Sequence, residues 1–191
     1  MAAPGGRRTR STAQPAHVEG APALPVILDG KKLKALARAH AATAPARLLA
    51  QIDQFASLGR WTAVPPVTTK AWTPPARLVV VDGGITTGKL VIHDGASHHG
   101  VVIVLGDVGC TSLDVKRGWT LVCTGDVTAT GTITATAGDS ATYVGGEVSA
   151  RLVKSGTGAW LTLFGGAKAL KAPVSSYVMV DGVGPLKNAA R

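Results

Sequence analysis

Five glycines recur at nearly constant spacing: Gly83, Gly106, Gly125, Gly146 and Gly165 stand 23, 19, 21 and 19 residues apart. The units around them read "LVVVDGGITTGKLVI", "VIVLGDVGCTSLDV", "LVCTGDVTATGTIT", "TYVGGEVSARLV" and "LTLFGGAKALKA", and a sixth partial unit, "YVMVDGVG", ends at Gly182. Each has a short β-rich run, a glycine, a small or acidic residue, an apolar residue and then a second β-rich run. Self-similarity at a fixed period of about 20 residues marks an architecture of stacked repeats. The β runs are too short to stand alone, and no helix-length stretch separates them. Such a unit closes into one rung of a coil whose rungs pair in parallel, about 4.8 Å apart.

The fold class expected is therefore mainly β: a parallel β-solenoid, or β-helix, of about five to six short rungs over residues 77–182. The five glycines are its corners, where the chain turns sharply. Alternation in Leu113/Val115, Leu121/Cys123 and Leu161/Leu163 points one set of side chains inward. Aromatic residues make up only 4% of the chain, so the core must be built from mid-sized aliphatics, which suit a narrow coil. An antiparallel β-sandwich is the alternative, since short strands and turns also permit it. A sandwich has no need of Gly-Asp-Val at a constant period, which favours the solenoid.

Upstream, residues 1–25 are rich in Ala, Pro, Gly and Arg without an apolar period and read as a disordered basic tail. Residues 26–59 form a helical N-terminal cap segment. "KKLKALARAHAA" sets Leu33, Leu36, Ala37 and His40 on one face, and Leu48, Leu49, Ile52 and Phe55 make a second stripe after Pro45. Thr43 is the expected N-cap of the second helix and Gly59 its stop. Residues 60–76, with two Pro-Pro pairs, read as an extended connector. Residues 183–191 form a C-terminal tail.

The formal charge of +9 is unevenly placed: residues 1–60 carry nine Lys and Arg against three acids. Arg7, Arg8, Arg10, Lys31, Lys32, Lys34 and Arg38 supply most of the excess. Nucleic acid is a minor expected partner through this segment, a solvated tail being the commoner use of such charge. No apolar run approaches the roughly 20 residues of a membrane span. "GRRTRS" resembles a twin-arginine signal, but the apolar stretch after it is short and broken by proline. Cys110 and Cys123 form neither a metal-ligand spacing nor a disulfide framework, which suggests free thiols and a cytoplasmic location.

"GGITTGKL", residues 83–90, matches a phosphate-binding loop up to Leu90, where that loop requires Ser or Thr. Such a loop opens a helix, whereas β-branched and glycine-interrupted sequence follows Lys89, and Gly83 falls in register with the other corners. The expectation is a bend, with no nucleotide and no other cofactor. Asp107, Asp126 and Glu147 follow the corners, and their carboxylates are expected to bond backbone amides there rather than form a catalytic or metal file. His93, Asp94, His98 and His99 form a polar loop; imidazoles and a carboxylate suit Zn²⁺, making this the place for a metal-dependent enzyme reading. Alternating Thr128, Thr130, Thr132, Thr134 and Thr136 suggest an ice-binding array only if repeated on neighbouring rungs. Trp119 and Trp160, six and five residues ahead of their corner glycines, would make an exposed apolar strip if both faced outward.

At "VLGDVGCTSLDV", "CTGDVTATGTITA" and "VGGEVSARLV" the chain resembles the bactofilin-type, polymer-forming β-helix proteins of bacteria, over residues 77–182. The resemblance implies a structural protein that assembles. The reading is a non-enzymatic β-solenoid scaffold or self-assembling protein with a protein partner or further copies of itself, and no small-molecule substrate is evident. Tyr177, Val178, Met179 and Val180 are its expected association edge, because a solenoid end exposes unpaired strand. The alternative is a protein-binding adaptor or toxin-immunity module using a lateral face.

Overall fold

A computed structural model of the chain describes residues 26–40, 43–135, 139–155, 159–175, 178–180 and 184–186. The expected tail over residues 1–25 lies outside them, as do 187–191 of the expected C-terminal tail, of which Gly184–Leu186 is instead a strand. β1 (Val26–Leu28) precedes two helices, α1 (Gly30–His40) and α2 (Ala46–Phe55), and a 3-10 turn over Ala56–Leu58. Strands then alternate between two walls: β2 (Trp61–Val64), β3 (Val67–Trp72), β4 (Leu78–Val81), β5 (Ile85–Ile92), β6 (Gly100–Val104), β7 (Val108–Val115), β8 (Trp119–Cys123), β9 (Val127–Ala135), β10 (Ala141–Val144), β11 (Val148–Ser155), β12 (Trp160–Leu163) and β13 (Leu170–Lys171), followed by β14 (Val178–Val180) and β15 (Gly184–Leu186).

Even-numbered strands from β2 to β14, with β1 and β15 at the ends, make a nine-stranded sheet; odd-numbered strands from β3 to β13 make a six-stranded one. Every rung-to-rung pairing is parallel, as in Val81 beside Val104 and Leu90 beside Leu113. The chain is a parallel β-solenoid of about five turns, and the antiparallel sandwich is excluded. Columns of like side chains follow from the register. Ile85, Val108, Val127 and Val148 form one column, and Leu90, Leu113, Ile133 and Val153 another, all buried. The inward set expected from alternation, Leu113, Val115, Leu121, Cys123, Leu161 and Leu163, lies in this core. Along β5 the alternation slips at Gly88 and Lys89, where the odd wall bends. β9 carries one extra residue at the equivalent bend, against both β7 and β11.

Two expectations about the upstream segments need correction. Residues 60–76 are no connector but the first rung, since β2 pairs with β4 and β3 with β5. The prolines bracket these strands, and Pro65-Pro66 occupies the corner between them. The helices do not close the end of the coil either. They lie on the outward face of the nine-stranded sheet, where Leu33, Ala37, Leu48 and Ile52 pack with Val80, Ile103 and Val122 in a second buried cluster. Asp29 caps α1 by accepting the Lys32 amide at 2.8 Å. At α2 the N-cap position is Pro45, not Thr43, and no side chain caps it.

Candidate functional site

The corner glycines are explained by packing more than by backbone strain. Of the five, only Gly83 takes a positive φ, 126°. A Cβ on Gly106, Gly125 or Gly146 would come within 2.9, 3.0 and 2.8 Å of the backbone of the preceding corner glycine. Gly125 and Gly146 also leave room for the carboxylate of the rung before. Asp107 Oδ1 accepts the Asp126 amide at 2.8 Å, and Asp126 Oδ1 accepts the Glu147 amide at 2.7 Å. A Cβ on Gly125 would overlap that Asp107 oxygen, and one on Gly146 the Asp126 oxygen. The acidic file is thus a hydrogen-bonded ladder that ties rungs together. In "GGITTGKL" only Gly83 and Gly84 lie at the corner; from Ile85 the stretch is β5, which runs on through Ile92 with no helix after Lys89. Gly165 closes the column beside Ala169, 3.0 Å from where its Cβ would stand.

The loop over residues 93–99 sits at the corner that returns the chain from the odd wall to the even one. Asp94 folds it: Oδ1 accepts the Ala96 and Ser97 amides at 2.9 and 2.7 Å, and Oδ2 accepts the Ser97 hydroxyl at 2.6 Å. Partial burial works to raise the Asp94 carboxyl, but the Ser97 hydroxyl, the two amides and the nearby His93 together hold it below the usual carboxylate range. His93 Nδ1 accepts the Gly95 amide at 2.7 Å, and its ring packs at 5.6 Å from that of Trp119. The Trp119 indole donates to the Ser97 carbonyl at 3.2 Å, which pins the loop to the next turn. His93, His98 and His99 line a cleft of about 410 Å³ together with Arg117, Gly118 and Asp139 of the two following turns. Among the described residues no three His, Cys, Asp or Glu side chains are grouped to hold a metal. Asp94 is turned into its own loop by these hydrogen bonds.

The two tryptophans expected in equivalent places are not equivalent. Trp119 stands opposite Gly100, whereas Trp160 stands opposite Ala141, which pairs with Thr120. The one-residue offset sends them to opposite faces of the sheet. Trp119 is fully buried in the core, while Trp160 is 53% exposed on the outward face. Gly100 is what admits the Trp119 ring, which a Cβ there would strike. On the outward face Phe55, Tyr143 and Phe164 form a chain of rings with centroids 6.1 and 6.2 Å apart. These three and Trp160 are four of the eight aromatic residues in the whole chain. Neither composition nor period revealed this concentration; the off-by-one position of Trp160 was the available signal.

The expected association edge also needs correction. Tyr177 lies outside the described residues, and Val178, Met179 and Val180 form β14, which is not terminal: β15 pairs with it antiparallel, Val180 facing Gly184. At the opposite end β1 pairs antiparallel with β2, Leu28 facing Trp61. Both ends of the nine-stranded sheet are therefore closed by a reversed strand. The threonines of β9 make no array across rungs, because Thr128 is flanked by Gly109 and Ser149, and Thr134 by Asp114 and Lys154. Both cysteines are free and buried. Burial pushes the Cys110 thiol up to about 11 and the Cys123 thiol further still, which disfavours the thiolate form of both. Among the described residues no helix is long and apolar enough to cross a membrane. Compared with protein-family models, curated proteins and solved structures, the chain matches none.

Proposed function

We propose that this solenoid is a scaffold that binds a partner protein through the outward face of its nine-stranded sheet. The observation that carries the reading is the aromatic strip beyond the helices. α1 and α2 cover the outward residues of β4, β6 and β8, but the cover thins at β10 and β12, where Tyr143 and Phe164 are half-buried and Trp160 stands exposed. Aromatic side chains with an apolar body and a polar tip are favoured anchors of protein interfaces. A photo-crosslinking residue at position 160 is expected to capture one defined protein from the native cell. The same residue at Thr111, exposed on the opposite wall, is expected to capture none. Equal capture from both positions would refute the lateral face.

Self-assembly of the bactofilin kind is the second reading, and one observation favours it. β3 is the outermost strand of the six-stranded sheet at the N-terminal end and has no further partner among the described residues. Lys70 in its middle and prolines on both sides are devices that protect an edge from pairing. The reading predicts species larger than one chain by light scattering at high concentration, growing when Lys70 is replaced by Val. A monomer in both cases removes it.

A further inference from the structure

We infer that the cleft formed by His93, His98, His99, Arg117 and Asp139 is an oxyanion-binding site, suited to a phosphate group. It goes beyond the lateral-face reading and shares no residue with it. Three features separate this cleft from a solvated loop. First, it is built. Trp119, with no exposed surface, anchors the loop through its indole N–H. Gly118, at φ 72°, lets the loop rest against the next turn, since a Cβ there would meet the His98 carbonyl and lie 2.8 Å from His99 Nδ1.

Second, its donors are uncommitted among the described residues. Asp94, the loop's own carboxylate, is spent on Ala96 and Ser97, and Lys116 is engaged by Asp114. His93 uses Nδ1 as an acceptor for Gly95, which leaves its N–H on Nε2. Arg117 brings a planar fork of donors that matches two phosphate oxygens at once. Third, the charge balance is favourable. The charged and titratable groups facing the cleft are Arg117, the three imidazoles and Asp139. Among the described residues lining the cleft Asp139 is the single opposing charge. The basic face of α1, where Lys31, Lys34 and Arg38 line a more open groove, is the competing anion surface.

The test is an NMR titration of the full chain with inorganic phosphate at neutral pH. The expected result is a saturable shift of the His93, His98 and His99 ring protons. Arg117→Ala is expected to weaken binding about tenfold, through loss of a bidentate charged donor. Asp139→Asn removes the opposing charge while keeping a residue that tolerates its positive φ of 57°. It should tighten binding about threefold, as a unit charge near the surface would. Should Arg117→Ala misfold, as seen by loss of the buried Trp119 indole resonance, Asp139→Asn still decides the matter. Shifts confined to Lys31–Arg38, or affinity unchanged or weakened in Asp139→Asn, would overturn the assignment.

Discussion

Gly125 and Asp107 show how this coil is specified at the level of single residues. The glycine has no backbone need to be a glycine; it is required by the carboxylate of the preceding rung, which lies where its Cβ would be and accepts the Asp126 amide at 2.8 Å. Gly125→Ala is therefore expected to cost about 1–3 kcal/mol, combining overpacking with a lost hydrogen bond. Asp107→Ala removes the oxygen that the new methyl would strike. The double variant should then be less destabilised than the sum of the singles, by about 0.5–2 kcal/mol in a denaturant-unfolding cycle. Additive losses would mean that the preceding backbone, and not the carboxylate, forbids the side chain. Asp94 offers a second check. Its carboxyl is held below the usual range in the folded loop, so its contribution is present above the unfolded value and is lost as pH falls through the folded one. Amide exchange of Ala96 and Ser97 should stay slow at mildly acidic pH and accelerate only below the ordinary carboxylate range. The fully exchanging loop at neutral pH would contradict the hydrogen bonds that define it.

At the scale of elements, the rungs were legible in the sequence because the rules that build them are local. A glycine at a close contact, an acid beside it and an inward aliphatic two residues on all recur with the period. What was not legible was anything set by one residue of register or by tertiary contact. Trp119 and Trp160 stand six and five residues ahead of their glycines, and that single residue of register makes them face opposite ways. The prolines of residues 60–76 argued for a connector, but they fall at the ends of β2 and β3, where a missing amide costs no ladder bond. The site of the helices did leave a trace. "LVVV" at β4 and "VVIVL" from Val101 to Leu105 are continuously apolar, the mark of strands covered on both faces, while β9 and β11 alternate with polar residues. Ile52 on α2, with no exposed surface, fills this second interface. Ile52→Ala should cost about 2–5 kcal/mol, and because the sheet it exposes is apolar, the variant should bind a hydrophobic dye before the coil itself melts. Simultaneous loss of helix and strand signals by circular dichroism, with no dye-binding stage, would show that the helices and coil unfold as one unit.

For the whole molecule, the question is why a stack of parallel rungs stops. A rung presents the same edge to the next copy as to its own neighbour, so an uncapped coil can continue into another chain. In the nine-stranded sheet both ends are turned back: β1 runs antiparallel on β2 and β15 antiparallel on β14. A reversed strand cannot continue the parallel register, and it covers the backbone groups that would template a further rung. Pro185, in the middle of β15, adds an amide that cannot donate. Deleting residues 181–191 removes this strand and leaves Val178–Val180 as a parallel edge. The shortened chain is expected to associate more strongly than the full chain, with a mass by light scattering that rises more steeply with concentration. Replacing Val178 with Pro in the shortened chain should abolish the association, since its amide, on the side that faces Leu186 in the full chain, can then no longer donate. A shortened chain whose mass stays that of the full chain's unit would mean that β15 is dispensable, and that the coil ends for want of a complementary partner surface rather than because a reversed strand stands across its edge.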